Sequence, residues 1–126
     1  MIRTISLGAA IALFAASAPD LAQAQTRTLD AFVAEANRVP RNATAAFRPS
    51  ARRLLNEGGT AMREVIEEAR AARAAGRPTA ACPPERVEVD AGQLLGFFNA
   101  IPPSRRARMS VRDGFREWLA SRHPCR

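Results

Sequence analysis

Behind a single positive residue, Arg3, the chain runs from Ile5 to Ala18 without a charge, and Ala22-Gln23-Ala24 follows as a small-x-small motif. This is the layout of an export signal: a basic start, an apolar stretch short for a permanent anchor, and a cleavage site. The expected cut falls between Ala24 and Gln25; a cut after Ala18 would place Pro19 directly beyond the scissile bond. Removing 24 of the 126 residues leaves 102. That suits one domain, 25–126, with a modest core that gains from a covalent staple. The expected location is the periplasm or the exterior of a bacterium, where thiols oxidise. No later stretch approaches membrane-spanning length, so no transmembrane segment is expected in the processed chain.

The two cysteines, Cys82 and Cys125, both follow the leader. In an oxidising compartment a pair permits one connectivity, 82–125. The bridge closes a loop for which the chain-entropy relation gives on the order of 4 kcal/mol. Two cysteines and the sole histidine, His123, make a poor zinc site, which needs four ligands or three plus water; no metal or other cofactor is expected.

Every one of the 19 basic residues is arginine, against 12 acids. Such a surface suits an acidic protein, anionic lipid or nucleic acid, and export makes nucleic acid the least suitable. Glu64, Glu67 and Glu68 stand among Arg63, Arg70 and Arg73, which predicts exposed ion pairs along one helix.

Apolar spacing predicts about four helices and an all-α bundle. Thr28–Val39 carries Leu29, Phe32, Val33 and Ala36 on one face and stops at Pro40. Phe47 is expected to plug the core from a short turn before Pro49. Ser50 is expected to cap a long helix reaching about Ala75, with Leu54, Leu55, Gly58, Met62, Val65, Ile66 and Ala69 as its stripe. Gly58 either admits a close neighbour or breaks the helix. Gly76 and Pro78 end it. After an extended connector, Asp90 and Gln93 have capping-box spacing. The helix they open turns Leu94, Leu95, Phe98 and Ile101 inward. Pro102-Pro103 ends it. Ser104 caps a basic turn, and Ser110 caps a last helix bearing Val111, Phe115, Trp118 and Leu119. One short extended piece near Val87 and Val89 has no partner, so no sheet is expected.

No catalytic constellation emerges. The cysteines are spent on the bridge, no serine sits in a nucleophile elbow, and the carboxylates lie on an open helix face. The expectation is therefore a non-enzymatic binding protein. The basic turn, Arg105, Arg106 and Arg108, is its candidate partner-binding residues, since arginine is enriched in interfaces. The other reading is an envelope protein held electrostatically on anionic lipid or cell wall.

From Cys82 onward the chain resembles the Rap/Tai family of immunity proteins against type VI secretion amidase effectors. The likeness rests on Cys82-Pro83-Pro84, Val87 or Val89, Gly92-Gln93-Leu94, Pro103 with its following arginines, Val111, Leu119, and Pro124-Cys125. It implies an exported, helical, disulfide-linked protein that shields its producer from a peptidoglycan-cleaving toxin. The chain departs from that family in a shorter helix between Gln93 and Pro102. It also has neither Cys nor Tyr in the segment around Gly58-Gly59. No toxin-contacting residue transfers from the resemblance.

Overall fold

A computed structural model of the chain describes residues 27–42 and 44–126. The expected leader and its cleavage point at Ala24 and Gln25 lie outside the described residues. Among those described, the fold is all-α, with five α-helices and one 3-10 turn.

Helix α1 spans Leu29–Asn37, and the Thr28 hydroxyl caps it by accepting from the Ala31 N–H at 3.1 Å. The 3-10 turn Ala45–Phe47 follows. Its Ala45 is buried, whereas Phe47 is 74% exposed and does not plug the core. At three residues per turn, two steps along such a turn carry a side chain well away from the face its start presents.

Helix α2, Pro49–Ala74, is the backbone of the domain. It starts two residues earlier than a cap at Ser50 predicts. Pro49 occupies the first turn, where its missing N–H costs nothing, so Ser50 lies within the helix and Arg48 precedes it without a side-chain cap. The helix is continuous through Gly58-Gly59, about 39 Å in all. It closes in a Schellman motif: Gly76 adopts φ +66, the Gly76 N–H donates to the Arg73 carbonyl, and the Arg77 N–H reaches the Ala72 carbonyl at 2.8 Å.

Helix α3 spans Ala91–Ala100, and Asp90 accepts from the Gln93 N–H at 2.9 Å. The return bond from the Gln93 side chain is not made, so half of the expected box forms. Phe98 and Ile101 are buried; Leu94, Leu95 and Phe97 are half-buried. Helix α4, Pro103–Arg106, begins on its proline, which leaves Ser104 inside rather than capping. Helix α5, Val111–Arg122, has a complete capping box between Ser110 and Asp113.

The main packing is α2 against α5, with α1 and α3 laid beside them. Leu29, Val33, Val65, Phe98, Phe115 and Leu119 form the driest part of the core. Two glycines set the approach distances. A Cβ on Gly58 would lie 3.3 Å from the Phe115 ring, and one on Gly114 would lie 2.7 Å from Leu29. The starts of α1 and α5 are joined by backbone bonds, Leu29 N–H to the Met109 carbonyl at 2.8 Å and Val111 N–H to the Arg27 carbonyl at 3.3 Å.

Cys82 and Cys125 are bonded, their Cα atoms 4.9 Å apart. Backbone bonds flank the bridge: the Cys82 N–H donates to the His123 carbonyl at 2.8 Å, and the Cys125 N–H to the Ala80 carbonyl at 3.4 Å. The tail after α5 is thereby sewn to the connector after α2. Only isolated β-bridges occur among the described residues.

The α5 cap carries a pH dependence. The Ser110 N–H donates to the Asp113 carboxylate at 3.0 Å, and this bond, aided by Arg116, holds the carboxyl below its ordinary value. A carboxyl depressed on folding stabilises above its unfolded pKa, and the gain is lost as pH falls through the lowered value. Glu57 has the opposite sign. Burial raises its pKa against the pull of Arg27, so its cost to the fold is relieved as acid protonates it. In urea titrations from about pH 6 to pH 2, Asp113→Asn is expected to flatten the acid loss of stability, while Glu57→Gln steepens it.

Candidate functional site

The stripe on α2 is wider than one neighbour can cover. Adjacent residues on a helix lie about 100° apart, so the doublets Leu54-Leu55 and Val65-Ile66 turn apolar surface to two sides. Leu54 and Val65 are buried, facing the core. Leu55, expected inside, is 61% exposed, and Ile66 is half-buried.

This second face of α2 forms one wall of an apolar groove of about 810 Å³. The opposite wall is Leu94 and Leu95 of α3 with Val87 and Val89 of the connector, and Val39 lies beyond the end of α1. The floor is built of rings. Phe98 and Phe115 meet edge to face at 5.3 Å, and Phe32 and Phe115 at 6.3 Å. Gly58 makes this floor possible, because its bare Cα lets Phe115 and Phe32 press against α2. The groove stays open to solvent along one side, where Leu55 and Val89 are exposed.

Arg70 fixes the connector wall. One of its Nη atoms donates to the carbonyls of Pro84 and Glu85, both at 2.9 Å, and ties that segment to α2. Arg41 and Arg63 also line the groove, with Glu67 and Glu85 toward the end where Arg70 stands.

Charge is unevenly compensated. The glutamates expected to pair along their own helix instead bridge α2 to α5: Glu64 with Arg112, and Glu68 with Arg116 at 2.9 Å. Their longer reach across the helix pair satisfies the arginines of α5. The remaining pairs tie Arg27 to Glu35 and Glu57, Arg105 to Glu117, Arg106 to Asp30, and Arg116 to Asp113. Among the described residues no ion pair forms at Arg38, Arg41, Arg48, Arg52 or Arg63, so the α1–α2 side of the groove keeps its positive charge.

The basic turn is largely engaged within the chain. Arg106 is mostly covered; it pairs with Asp30 at 3.0 Å and donates to the Phe98 and Asn99 carbonyls at the end of α3. Arg105 holds Glu117, and Arg108 donates to the Ser104 carbonyl while remaining exposed. His123 ends α5, with its carbonyl engaged by Cys82. Among the described residues, no helix is long and apolar enough to cross a membrane, and no cluster of His, Cys, Asp or Glu is placed to hold a metal ion.

Sequence reasoning missed the groove. Its signals were present: two apolar doublets on one helix, an alternating Val87 and Val89 without a partner strand, and Gly59. A Cβ on Gly59 would meet nothing within 4 Å, so the fold itself does not require glycine there. Comparison with protein-family models, with curated proteins and with solved structures finds no match for this chain.

Proposed function

We propose that this chain is an exported, non-catalytic helical module that docks a partner protein. The resemblance over its C-terminal half suggests the partner class, a peptidoglycan amidase delivered between bacteria, and the chain would act by occluding it in the periplasm. The observation that carries the docking reading is the open apolar groove, walled by exposed Leu55 and Val89 and flanked by arginines without ion pairs. Apolar surface gathered in a groove of this kind marks an interaction site. The disulfide and the cross-helix ion pairs support the reading too, because a rigid frame lowers the ordering cost of binding.

The test is a contact-killing assay. A strain lacking this gene is expected to lose viability beside its secreting parent, and to regain it when the leader-bearing chain is restored. Equal survival of deletion and parent strains would overturn the amidase reading. The unpaired arginines favour a second reading, electrostatic attachment to anionic envelope polymers. That reading predicts sedimentation with phosphatidylglycerol vesicles that disappears in moderate salt.

A further inference from the structure

We infer that the groove seats a single amphipathic helix of the partner, with acidic residues along one flank of its apolar stripe. This rests on the reading of the chain as a protein-docking module and names which surface docks and what it accepts. Length is the first argument. The α2 wall runs from Ala51 to Arg70, which at helical rise is about 29 Å, the reach of a partner helix of some five turns. Shape is the second. The trough is open to solvent where Leu55 and Val89 are exposed, so a thin acyl chain lying in it would leave those side chains in water. A helix about 10 Å across covers both walls and buries Leu55 and Val89 together.

Gly59 is the third argument. It stands on the groove side of α2, one turn after Leu55, where nothing inside the chain fills the space a Cβ would take. Glycine inside a helix destabilises it relative to alanine. At this position it leaves room for a second helix to come close, much as Gly58 does for the rings below. Charge is the fourth. Arg41 and Arg63 line the groove, Arg38, Arg48 and Arg52 are exposed on the adjoining segments, and none is paired with an acid among the described residues. Acidic residues beside the partner's apolar stripe match that edge and speed its capture.

The probe is a fluorescein-labelled synthetic 18-residue peptide with leucines at helical spacing and glutamates along the one flank that faces the α1–α2 edge. It is titrated against the intact, disulfide-bonded protein by anisotropy. Binding to wild type is expected to exceed that of a scrambled peptide by at least about tenfold, and to weaken by a similar factor in Gly59→Trp and Leu55→Glu. Gly59→Ala supplies the folding control, with a raised melting midpoint because nothing opposes its Cβ. Equal binding of the scrambled peptide, or of a version with lysines along that flank, overturns the inference. So does tighter, groove-dependent binding of dodecanoate, which would assign the groove to an acyl chain. A concentration-dependent dimer abolished by Gly59→Trp would assign it to a second copy and overturn the inference as well. The contact-killing assay reports on the docking module separately: protection by Gly59→Trp equal to wild type would keep that reading and remove the groove from it.

Discussion

Breaking the Cys82–Cys125 bond is expected to be among the most damaging single chemical changes this fold can suffer. The bond joins residues 43 apart in sequence, and the loop-closure relation assigns such a crosslink about 4 kcal/mol of stabilisation through the unfolded chain. A small domain typically holds roughly 5–15 kcal/mol in total, so the reduced form should stand near the edge of folding. For a chain of this size the melting midpoint should fall by roughly 20 °C. The local consequence is as specific as the global one. Without the bridge, the tail is joined to the connector by the Cys82 and Cys125 backbone bonds to His123 and Ala80. Amide exchange should therefore rise first at Cys82 and at the end of α5. Thermal unfolding of the oxidised protein against the Cys82→Ala/Cys125→Ala double variant measures the effect. A drop of only a few degrees would show that helix packing, rather than the crosslink, sets stability.

That bridge was legible in the sequence, because two cysteines leave one pairing within the chain. The helices were legible where local chemistry decides alone: Asp90 and Ser110 as caps, Gly76 as a terminator, Pro40 and Pro102 as stops. Errors gathered where two local signals compete. Ser50 and Ser104 resemble caps, but a proline one residue earlier starts each helix first. Leu55 and Phe47 misled for another reason. Apolar periodicity says that a residue belongs against something, and does not say whether that something lies in the same chain. Glu64 and Glu68 were misplaced because neighbouring arginines in sequence hid the better partners, Arg112 and Arg116, brought near only by the packing of α2 on α5. The groove itself could not be read for the same reason: its floor and walls come from four helices and a connector, and their alignment is a tertiary fact.

Replacing Phe115 is the second change expected to be severe. Its side chain is 2% exposed, meets Phe98 and Phe32 edge to face, and lies under Gly58. Phe115→Ala should cost about 3–5 kcal/mol, the sum of lost transfer energy and the void left behind. Phe115→Leu keeps most of the volume and should cost about 1–1.5 kcal/mol, part of it from the aromatic contacts. The void would open beneath the groove floor, so the alanine variant should also lose peptide binding under conditions where it remains folded. The contact with Gly58 gives a sharper test than either number. In wild type, Gly58→Ala sets a Cβ 3.3 Å from the Phe115 ring, tight enough that the ring must yield. That strain opposes the gain of about 1 kcal/mol that alanine brings to a helix interior. With Phe115 already truncated, the opposition from its ring disappears and the same substitution should become stabilising. Urea unfolding of both single variants and the double should therefore show strong non-additivity, in the direction that favours the double. Additive energies would mean that Gly58 is not glycine on account of this ring, and the account of how the groove floor is built would have to be abandoned.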